Sequence, residues 1–228
     1  MRSTRPLGSI LLLAAAGCGA KPALPAVAWK APPGPPSATS RSGDQAEPRL
    51  EALPDLAPPR TAADDLDQAA ALSSAAAARR AAGDLSSAID MQSRALEIRE
   101  RVLGPDHPDV ASTLTSLATL YALQDNYAVA QTKLQRALAI REQALGPNDP
   151  LTAASLSNLA LLYAAQGRAA DAEPLYQRSI AILEKTKSPD LPAALENYAA
   201  LLADTGRTEE ASKLEAQAAA LRGAPAAD

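Results

Sequence analysis

Residues 103–114 read LGPDHPDVASTL and residues 145–156 read LGPNDPLTAASL, so the chain carries nearly the same loop twice at an offset of 42 residues. Both copies keep a Gly-Pro pair, a second proline and the flanking leucines. Gly and Pro interrupt regular structure wherever they stand, but two copies at one spacing with matching apolar neighbours indicate a repeated structural unit. The sequence therefore predicts an array of repeats.

The segments that follow the two loops, residues 114–142 and 156–184, align without a gap. In each, apolar residues recur at i, i+3, i+4 and i+7, which is the pattern of one face of an α-helix. The pattern stops at a short polar turn and then resumes for a second helix. Two helices joined by such a turn fold back on each other, so each copy is predicted to be a helical hairpin.

The repeated loop is predicted to connect one hairpin to the next. Gly104-Pro105 and Gly146-Pro147 should end the second helix of a hairpin, because Gly suits a helix C-cap and Pro cannot continue the helix. Asp109 and Thr152, or polar side chains near them, should begin the next helix. A short, stiff connector of constant sequence gives every hairpin the same orientation relative to its neighbour.

A weaker copy precedes the two full ones at residues 72–100, and another follows at residues 195–222 after three residues are dropped from the loop before it. Arg79 and Gln92 in the first copy, and Glu215 in the last, replace apolar residues of the full copies. The outer repeats of a stack have one face in water, so polar substitutions are expected there. We predict a repeat domain at 63–223, with repeats at about 66–103, 108–145, 150–186 and 189–222.

Residues 1–17 have the order of a secretory signal, with two arginines, an apolar run over residues 7–16 and small residues before Cys18. Cys18 is the only cysteine, and LAAAGC resembles a bacterial lipoprotein signal, in which cleavage exposes the cysteine for lipidation. The alternative is an ordinary A-x-A cleavage site at residues 14–16 and an incidental thiol. Because the apolar run is about half of the roughly 20 residues that a spanning helix needs, no transmembrane helix is expected.

Residues 18–62 are rich in Pro, Ala and Ser and are predicted to form a disordered tether behind the lipidated Cys18. A short disordered tail is predicted at 224–228. Trp29, within the tether, is either a docking anchor or an aromatic residue without a role. The lipoprotein interpretation predicts a place in the bacterial cell envelope, lipid-anchored at the outer membrane and facing the periplasm.

The composition excludes some partners and favours helices. A net charge of −4 and a pI near 5.1 leave no surplus of Lys and Arg to neutralise phosphates, so a nucleic-acid partner is not expected. The chain has no phenylalanine and one tryptophan, although 47% of its residues are hydrophobic. Its core must be built mainly from Ala and Leu, which suits close helix packing better than strands.

Residues for catalysis or metal binding are scarce. The chain has one histidine and one cysteine, and it lacks H-E-x-x-H, G-x-S-x-G and Gly-rich phosphate loops. His107 lies in the repeated loop where the next copy has Asp149, so we interpret it as a turn residue rather than a ligand or base. Asp64, Asp65 and Asp67 are interpreted as the start of a helix, with a cation site as the alternative. We therefore predict no catalytic residue, no metal site and no cofactor.

The order of residue types in each hairpin is similar to the tetratricopeptide repeat. The third repeat shows the pattern of Leu, small, Tyr, Gly, Ala, aromatic and small residues at Leu159, Ala160, Tyr163, Gly167, Ala172, Tyr176 and Ser179. The 42-residue spacing and the LGPDHPDVA loop resemble the kinesin-light-chain type. The resemblance covers about residues 66–222 and is strongest in the two middle repeats. It implies an all-α fold, a right-handed stack of about four helix-turn-helix hairpins.

A second stripe of residues, offset from the apolar one, runs along the first helix of each repeat. In tetratricopeptide arrays this stripe lines a concave groove that receives peptides, whereas a merely solvated face is the alternative. The resemblance thus implies a peptide-binding groove formed by Ser112, Thr115, Ser116, Thr119, Ser157, Asn158, Leu161, Glu196 and Asn197. Asn158 and Asn197 are expected to be exposed, and their amides suit the backbone of an extended ligand.

These observations favour a non-enzymatic, membrane-anchored scaffold of the bacterial envelope that binds a protein or peptide partner and reaches the membrane through its lipid. A more specific alternative is a pilotin-like assembly factor for a pilus, secretion or outer-membrane machine, which resembles the role of other bacterial lipoproteins with such repeats. An alternative of another class is an envelope hydrolase or an enzyme subunit, which would need catalytic groups that the sequence does not display.

Overall fold

The computed structural model describes residues 61–223, so the predicted signal peptide, Cys18, Trp29, all but the last two residues of the predicted tether and the tail at 224–228 lie outside the described residues. Residues 61–223 form eight α-helices: α1 Ala62–Ala81, α2 Leu85–Leu103, α3 Pro108–Leu123, α4 Tyr127–Leu145, α5 Pro150–Ala165, α6 Ala169–Lys185, α7 Leu191–Asp204 and α8 Thr208–Gly223. None of these helices combines the length and the hydropathy that crossing a membrane requires.

The helices pack as four consecutive hairpins. The closest packing is within the pairs α1/α2, α3/α4, α5/α6 and α7/α8, and each second helix also packs against the first helix of the next hairpin. The predicted all-α stack of four helix-turn-helix hairpins is therefore confirmed. Within it, α5 packs against α6 and α4 and also touches α3 and α7.

The Gly-Pro pairs end α2 and α4 as predicted. Gly104 and Gly146 are the C-caps of these helices, with φ angles of 91° and 95°. A residue with a Cβ atom rarely adopts such angles, so glycine lets the chain leave the helix at this angle. The following prolines, Pro108 and Pro150, occupy the first turn of the next helix, where the missing N–H has no intrahelical partner to lose.

The helix-starting side chains are the nearby His107 and Asp149 rather than Asp109 and Thr152. His107 Nδ1 accepts a hydrogen bond from the Asp109 N–H at 3.1 Å, and Asp149 Oδ1 accepts one from the Leu151 N–H at 2.8 Å. The predicted role of His107 as a turn residue is thereby confirmed. Thr152 is buried and donates its hydroxyl to the Gly146 carbonyl at 2.9 Å, which ties the helix start to the loop before it.

Small residues lie where the helices cross, as the Ala-rich composition predicts. Ala118, Ala160 and Ala199 occupy the same position in the first helices of the last three hairpins, and all three are buried in one core cluster. Tyr176 and Tyr198 stack in this cluster, with their ring centroids 5.8 Å apart. Close approach of helix backbones at the alanines, with tyrosines filling the wider gaps, gives a continuous core across hairpins two to four.

The outer helices of the stack contribute little core. Helix α1 buries only Ala69 and Ala76, and α8 buries only Ala211 and Ala218. Among the substitutions expected to face water, Arg79 and Glu215 are exposed. Gln92, by contrast, is buried, because α2 lies between α1 and α3 and has no outer face at this position.

Two arginines stitch consecutive hairpins together through the repeated loop. Arg136 on α4 pairs with Glu100 on α2 at 2.7 Å and donates to the Pro105 carbonyl at 3.3 Å. Forty-two residues later, Arg178 on α6 pairs with Glu142 at 2.8 Å and donates to the Pro147 carbonyl at 3.5 Å. The loop between hairpins is thus held by the second helix of the hairpin that follows it.

A second set of contacts joins the hairpins inside the core. Arg141 on α4 is 1% exposed and donates to Ser155 Oγ at 2.8 Å and to the Leu151 carbonyl at 3.1 Å, both on α5. Burial lowers the pKa of Arg141, and the carboxylate of Asp149 opposes that shift. Arg99 makes the corresponding joint one repeat earlier, where its guanidinium donates to Thr113 Oγ1 at 2.5 Å.

We call the pair of Arg99 and Thr113 the first joint between hairpins and the pair of Arg141 and Ser155 the second. At the third joint, between α6 and α7, Leu183 and Ala194 occupy the corresponding positions, and both are buried in the same apolar cluster. Because the two positions change together, neither a guanidinium nor a hydroxyl is left without its counterpart at this joint.

Candidate peptide-binding groove

A pocket of about 300 Å³ opens between α3 and α5, the first helices of the second and third hairpins. Most of its walls are apolar. The lining residues are Ala118, Thr119, Ala122, Leu123, Asp125, Tyr127, Leu134, Asn158, Leu161, Leu162 and Ala165. Leu123 at the pocket is 51% exposed, the largest exposure among the large hydrophobic side chains of residues 61–223.

The amide of Asn158 is the most deeply placed polar group of this pocket. Asn158 is 4% exposed, and within residues 61–223 its side chain has no hydrogen-bond partner. The pocket therefore holds an unused donor and an unused acceptor that a bound molecule can satisfy.

A single charged side chain, Asp125, lines the pocket. It lies in the turn between α3 and α4 with φ of 58°, and its Oδ1 accepts a hydrogen bond from the Tyr127 hydroxyl at 2.9 Å. This hydrogen bond raises the pKa of Tyr127. The other three hairpins have a glycine with positive φ at this turn position, namely Gly83, Gly167 and Gly206.

The structure brings three of the predicted groove residues together. Thr119, Asn158 and Leu161 all line the pocket. Ser112 and Ser116 are exposed two turns and one turn, respectively, before Thr119 on α3, and their hydroxyls donate to backbone carbonyls of their own helix. The predicted stripe thus contributes to the pocket at its carboxyl end, while its amino end remains open surface.

Three of the predicted polar residues are more enclosed than a groove-facing stripe requires. Thr115 is buried and donates to the Ala111 carbonyl at 2.9 Å. Ser157 is 2% exposed and shares a 2.8 Å hydrogen bond with Ser179 on α6, so it belongs to the interior of the hairpin. The expected exposure of Asn158 is also wrong. The reason is the position of α5, which has packed neighbours on both sides and leaves no wide solvated face.

The two predicted residues on α7 lie outside this pocket. Glu196 pairs with Arg222 on α8 at 2.8 Å, so its carboxylate already has a partner within the last hairpin. Asn197 occupies the position of Asn158 one repeat later and is half-buried, so its expected exposure is also wrong. Each is therefore a useful comparison for the pocket residues rather than part of the pocket itself.

Sequence reasoning missed Leu123, Asp125 and Tyr127. Asp125 and Tyr127 lie in or next to a turn, where helical periodicity gives no information about direction. The available signal was the turn sequence QDN, which places Asp125 where the third repeat has Gly167. A non-glycine residue at a left-handed turn position is uncommon and marks a site worth testing.

The polar groups that line the pocket are an amide, a threonine hydroxyl, a tyrosine hydroxyl and one carboxylate, and each of them can form a hydrogen bond with a bound molecule. Over residues 61–223 no group of three or more His, Cys, Asp or Glu side chains converges as a metal site would. Asp64 instead completes a capping box with Thr61 at the start of α1, which confirms the helix-start interpretation of that residue.

Comparisons with known proteins agree with this architecture. The pattern of the tetratricopeptide repeat family matches residues 67–143 and 117–185, which together cover just over half of the 228 residues. None of the curated proteins matches the chain.

Several solved structures share the fold. BtubC (BKLC) from P. vanneervenii is 20% identical with a TM-score of 0.62, over 70% of this chain and 66% of that protein. A putative kinesin light chain with nearly identical TPR-like repeats from Podosopora anserina is 26% identical with a TM-score of 0.56, over 68% and 74%. Aspartyl phosphate phosphatase F from Bacillus subtilis is 21% identical with a TM-score of 0.62, over 69% and 41%. This chain therefore spans less than two thirds of the first and third of these proteins.

Proposed function

The chain belongs to the tetratricopeptide repeat family, and from this premise we propose that it is a non-enzymatic scaffold that binds another protein in the groove between its first helices. We further propose that a lipid on Cys18 holds the repeat domain at a membrane of the bacterial cell envelope, at the outer membrane and facing the periplasm. Stacked helical repeats form extended concave surfaces that are used for binding partners.

One observation carries the binding proposal, namely the apolar pocket between α3 and α5 with the unpaired amide of Asn158 in its wall. An apolar concavity with a few placed polar groups is the usual form of a binding site. The exposed Leu123 extends the apolar surface beyond the pocket mouth. A partner segment that covers this surface removes apolar area from water and satisfies the amide.

The binding proposal is tested by capture of a partner from solubilised cell envelopes with the full chain as bait. Thr119→Arg places a long cation at the pocket, and we expect it to reduce capture several-fold. Thr132→Arg is the matched control. Thr132 lies exposed on α4, and its hydroxyl, like that of Thr119, donates to a carbonyl of its own helix. Equal capture by the two variants, both with wild-type circular dichroism, contradicts a binding site in this groove.

The anchor proposal rests on the position of Cys18 after LAAAG and on the absence of any other cysteine in the sequence. Metabolic labelling with palmitate should mark the wild-type chain and leave Cys18→Ser unlabelled, and only the wild type should sediment with membranes. If both chains take up label equally, or if both stay in the soluble fraction, the chain has no lipid anchor at Cys18.

A further inference from the structure

We propose that the pocket between α3 and α5 takes one large apolar side chain from an extended segment of a partner protein, with a Lys or Arg next to it in the segment. Asn158 pairs with the backbone of that segment, and Asp125 pairs with its cation. This inference rests on the proposed function and names the chemical class of the partner.

The size and the walls of the pocket define the apolar part of the ligand. A volume of about 300 Å³ is enough to hold one Leu, Met or aromatic side chain. Leu161 and Leu162 on α5 face Ala118 and Ala122 on α3 across this space. The alanines on α3 leave space opposite these leucines for one large side chain.

Asn158 defines the backbone of the ligand. Asn158 as a residue is more than nine-tenths buried, and it lines the pocket with an amide that has no partner among the described residues. One amide both donates and accepts, as one peptide group of an extended chain does. A helical ligand has already used its own backbone groups, so the unpaired amide favours an extended segment.

Asp125 defines the charge of the ligand. It is the only charged residue that lines the pocket, and no Lys, Arg or His of residues 61–223 forms an ion pair with it. Within residues 61–223 its side chain has one hydrogen-bond partner, the Tyr127 hydroxyl, which donates to Oδ1 and leaves Oδ2 available. A carboxylate beside an apolar pocket favours a cationic neighbour and disfavours an acidic one.

The partner class is tested by selecting random twelve-residue peptides, displayed on phage, against the full chain. We expect enriched peptides to share a large apolar residue with a Lys or Arg within the next two or three positions. Enrichment of acidic peptides, or of peptides without a basic residue, overturns the inference, and so does a selection that enriches nothing.

Two pairs of variants then place the selected peptide in the pocket. Asn158→Leu should weaken the fluorescein-labelled peptide at least tenfold, whereas Asn197→Leu, at the same position of the next repeat, should not. Asp125→Asn should weaken it several-fold and keep the turn, because Asn also tolerates positive φ. Asp204→Asn, an exposed carboxylate at the end of α7, is the control. Circular dichroism establishes that all four variants are folded.

A charge exchange is the most specific part of the test. The Asp125→Lys chain should recover binding when the basic residue of the peptide is replaced by Glu. Unchanged affinity in Asn158→Leu or Asp125→Asn overturns the inference. The capture experiment with Thr119→Arg is read separately, so the scaffold function stands or falls on its own result.

Discussion

Replacing the polar Arg141–Ser155 pair of the second joint by the apolar pair of the third joint should leave the free energy of unfolding nearly unchanged. Removing the Arg141 side chain alone should lower it. The double variant Arg141→Leu with Ser155→Ala reproduces the Leu183 and Ala194 pair found one repeat later. The variant Arg141→Ala instead removes a side chain that is 1% exposed and leaves the buried Ser155 hydroxyl without its donor.

The magnitudes follow from what each change leaves behind. Arg141→Ala opens a cavity in a packed site, and large-to-small core substitutions reduce the free energy of unfolding by about 2–5 kcal/mol. Ser155→Ala alone leaves the guanidinium with one acceptor fewer, a loss of about 1.5–3 kcal/mol for a hydrogen bond to a charged group. The double variant leaves no unpaired group and refills most of the volume, so we expect a change within about 1 kcal/mol.

Urea unfolding of the full chain, followed by circular dichroism at the helical band, measures all three free energies. The two sites are in contact, so the double variant should be more stable than the sum of the single changes predicts. If the double variant is destabilised as much as Arg141→Ala, then the joint does not behave as an exchangeable pair and the reasoning is wrong.

Three further outcomes are expected. Gly146→Ala should lower the free energy of unfolding by about 1–3 kcal/mol in urea titration, because an Ala at φ of 95° is strained although its Cβ meets nothing within 4 Å. The control is Gly223→Ala, which should have little effect because Gly223 is equally free of contacts and has no positive φ. The ion pair with Arg207 lowers the pKa of Glu173 in the folded state. The stabilisation by this ion pair is therefore present above the unfolded pKa of about 4.3 and is lost as the pH falls through the folded pKa. The difference in thermal midpoint between wild type and Glu173→Gln should accordingly shrink from pH 7 to pH 3. A chain cut after Leu145 should lose the cooperative melting of the full chain in circular dichroism, because it keeps fewer than three hairpins.

The elements of the fold were predictable because their signals are local. Gly104 and Gly146 indicate helix ends by residue type alone, and the recurrence of apolar residues at i, i+3, i+4 and i+7 predicts the two helices of each hairpin. The residues predicted to start the helices, Asp109 and Thr152, lie two and three residues after the observed N-caps. Several polar residues stand in each loop, and only the backbone geometry selects His107 and Asp149 as caps.

The groove was predictable only in part because exposure depends on neighbours distant in sequence. Ser157 and Asn158 are adjacent on α5, yet one bonds Ser179 inside the hairpin and the other faces the pocket. The helical period separates them by about 100°, and only the placement of α3 and α6 around α5 decides which of these directions is solvent. Asp125 escaped notice for the same reason, since its direction depends on the turn.

The loop contacts of Arg136 and Arg178 also determine how such an array can grow. Each 42-residue unit contains an arginine that donates a hydrogen bond to the loop before the unit. It also ends in a loop that accepts a hydrogen bond from the arginine of the next unit. A duplicated copy of residues 108–149 inserted in frame would therefore arrive with both halves of a joint and would match the ends that it meets. A hairpin can therefore be added to the stack without changing the hairpins next to it. The units are interchangeable because each ends in the same Gly-Pro loop.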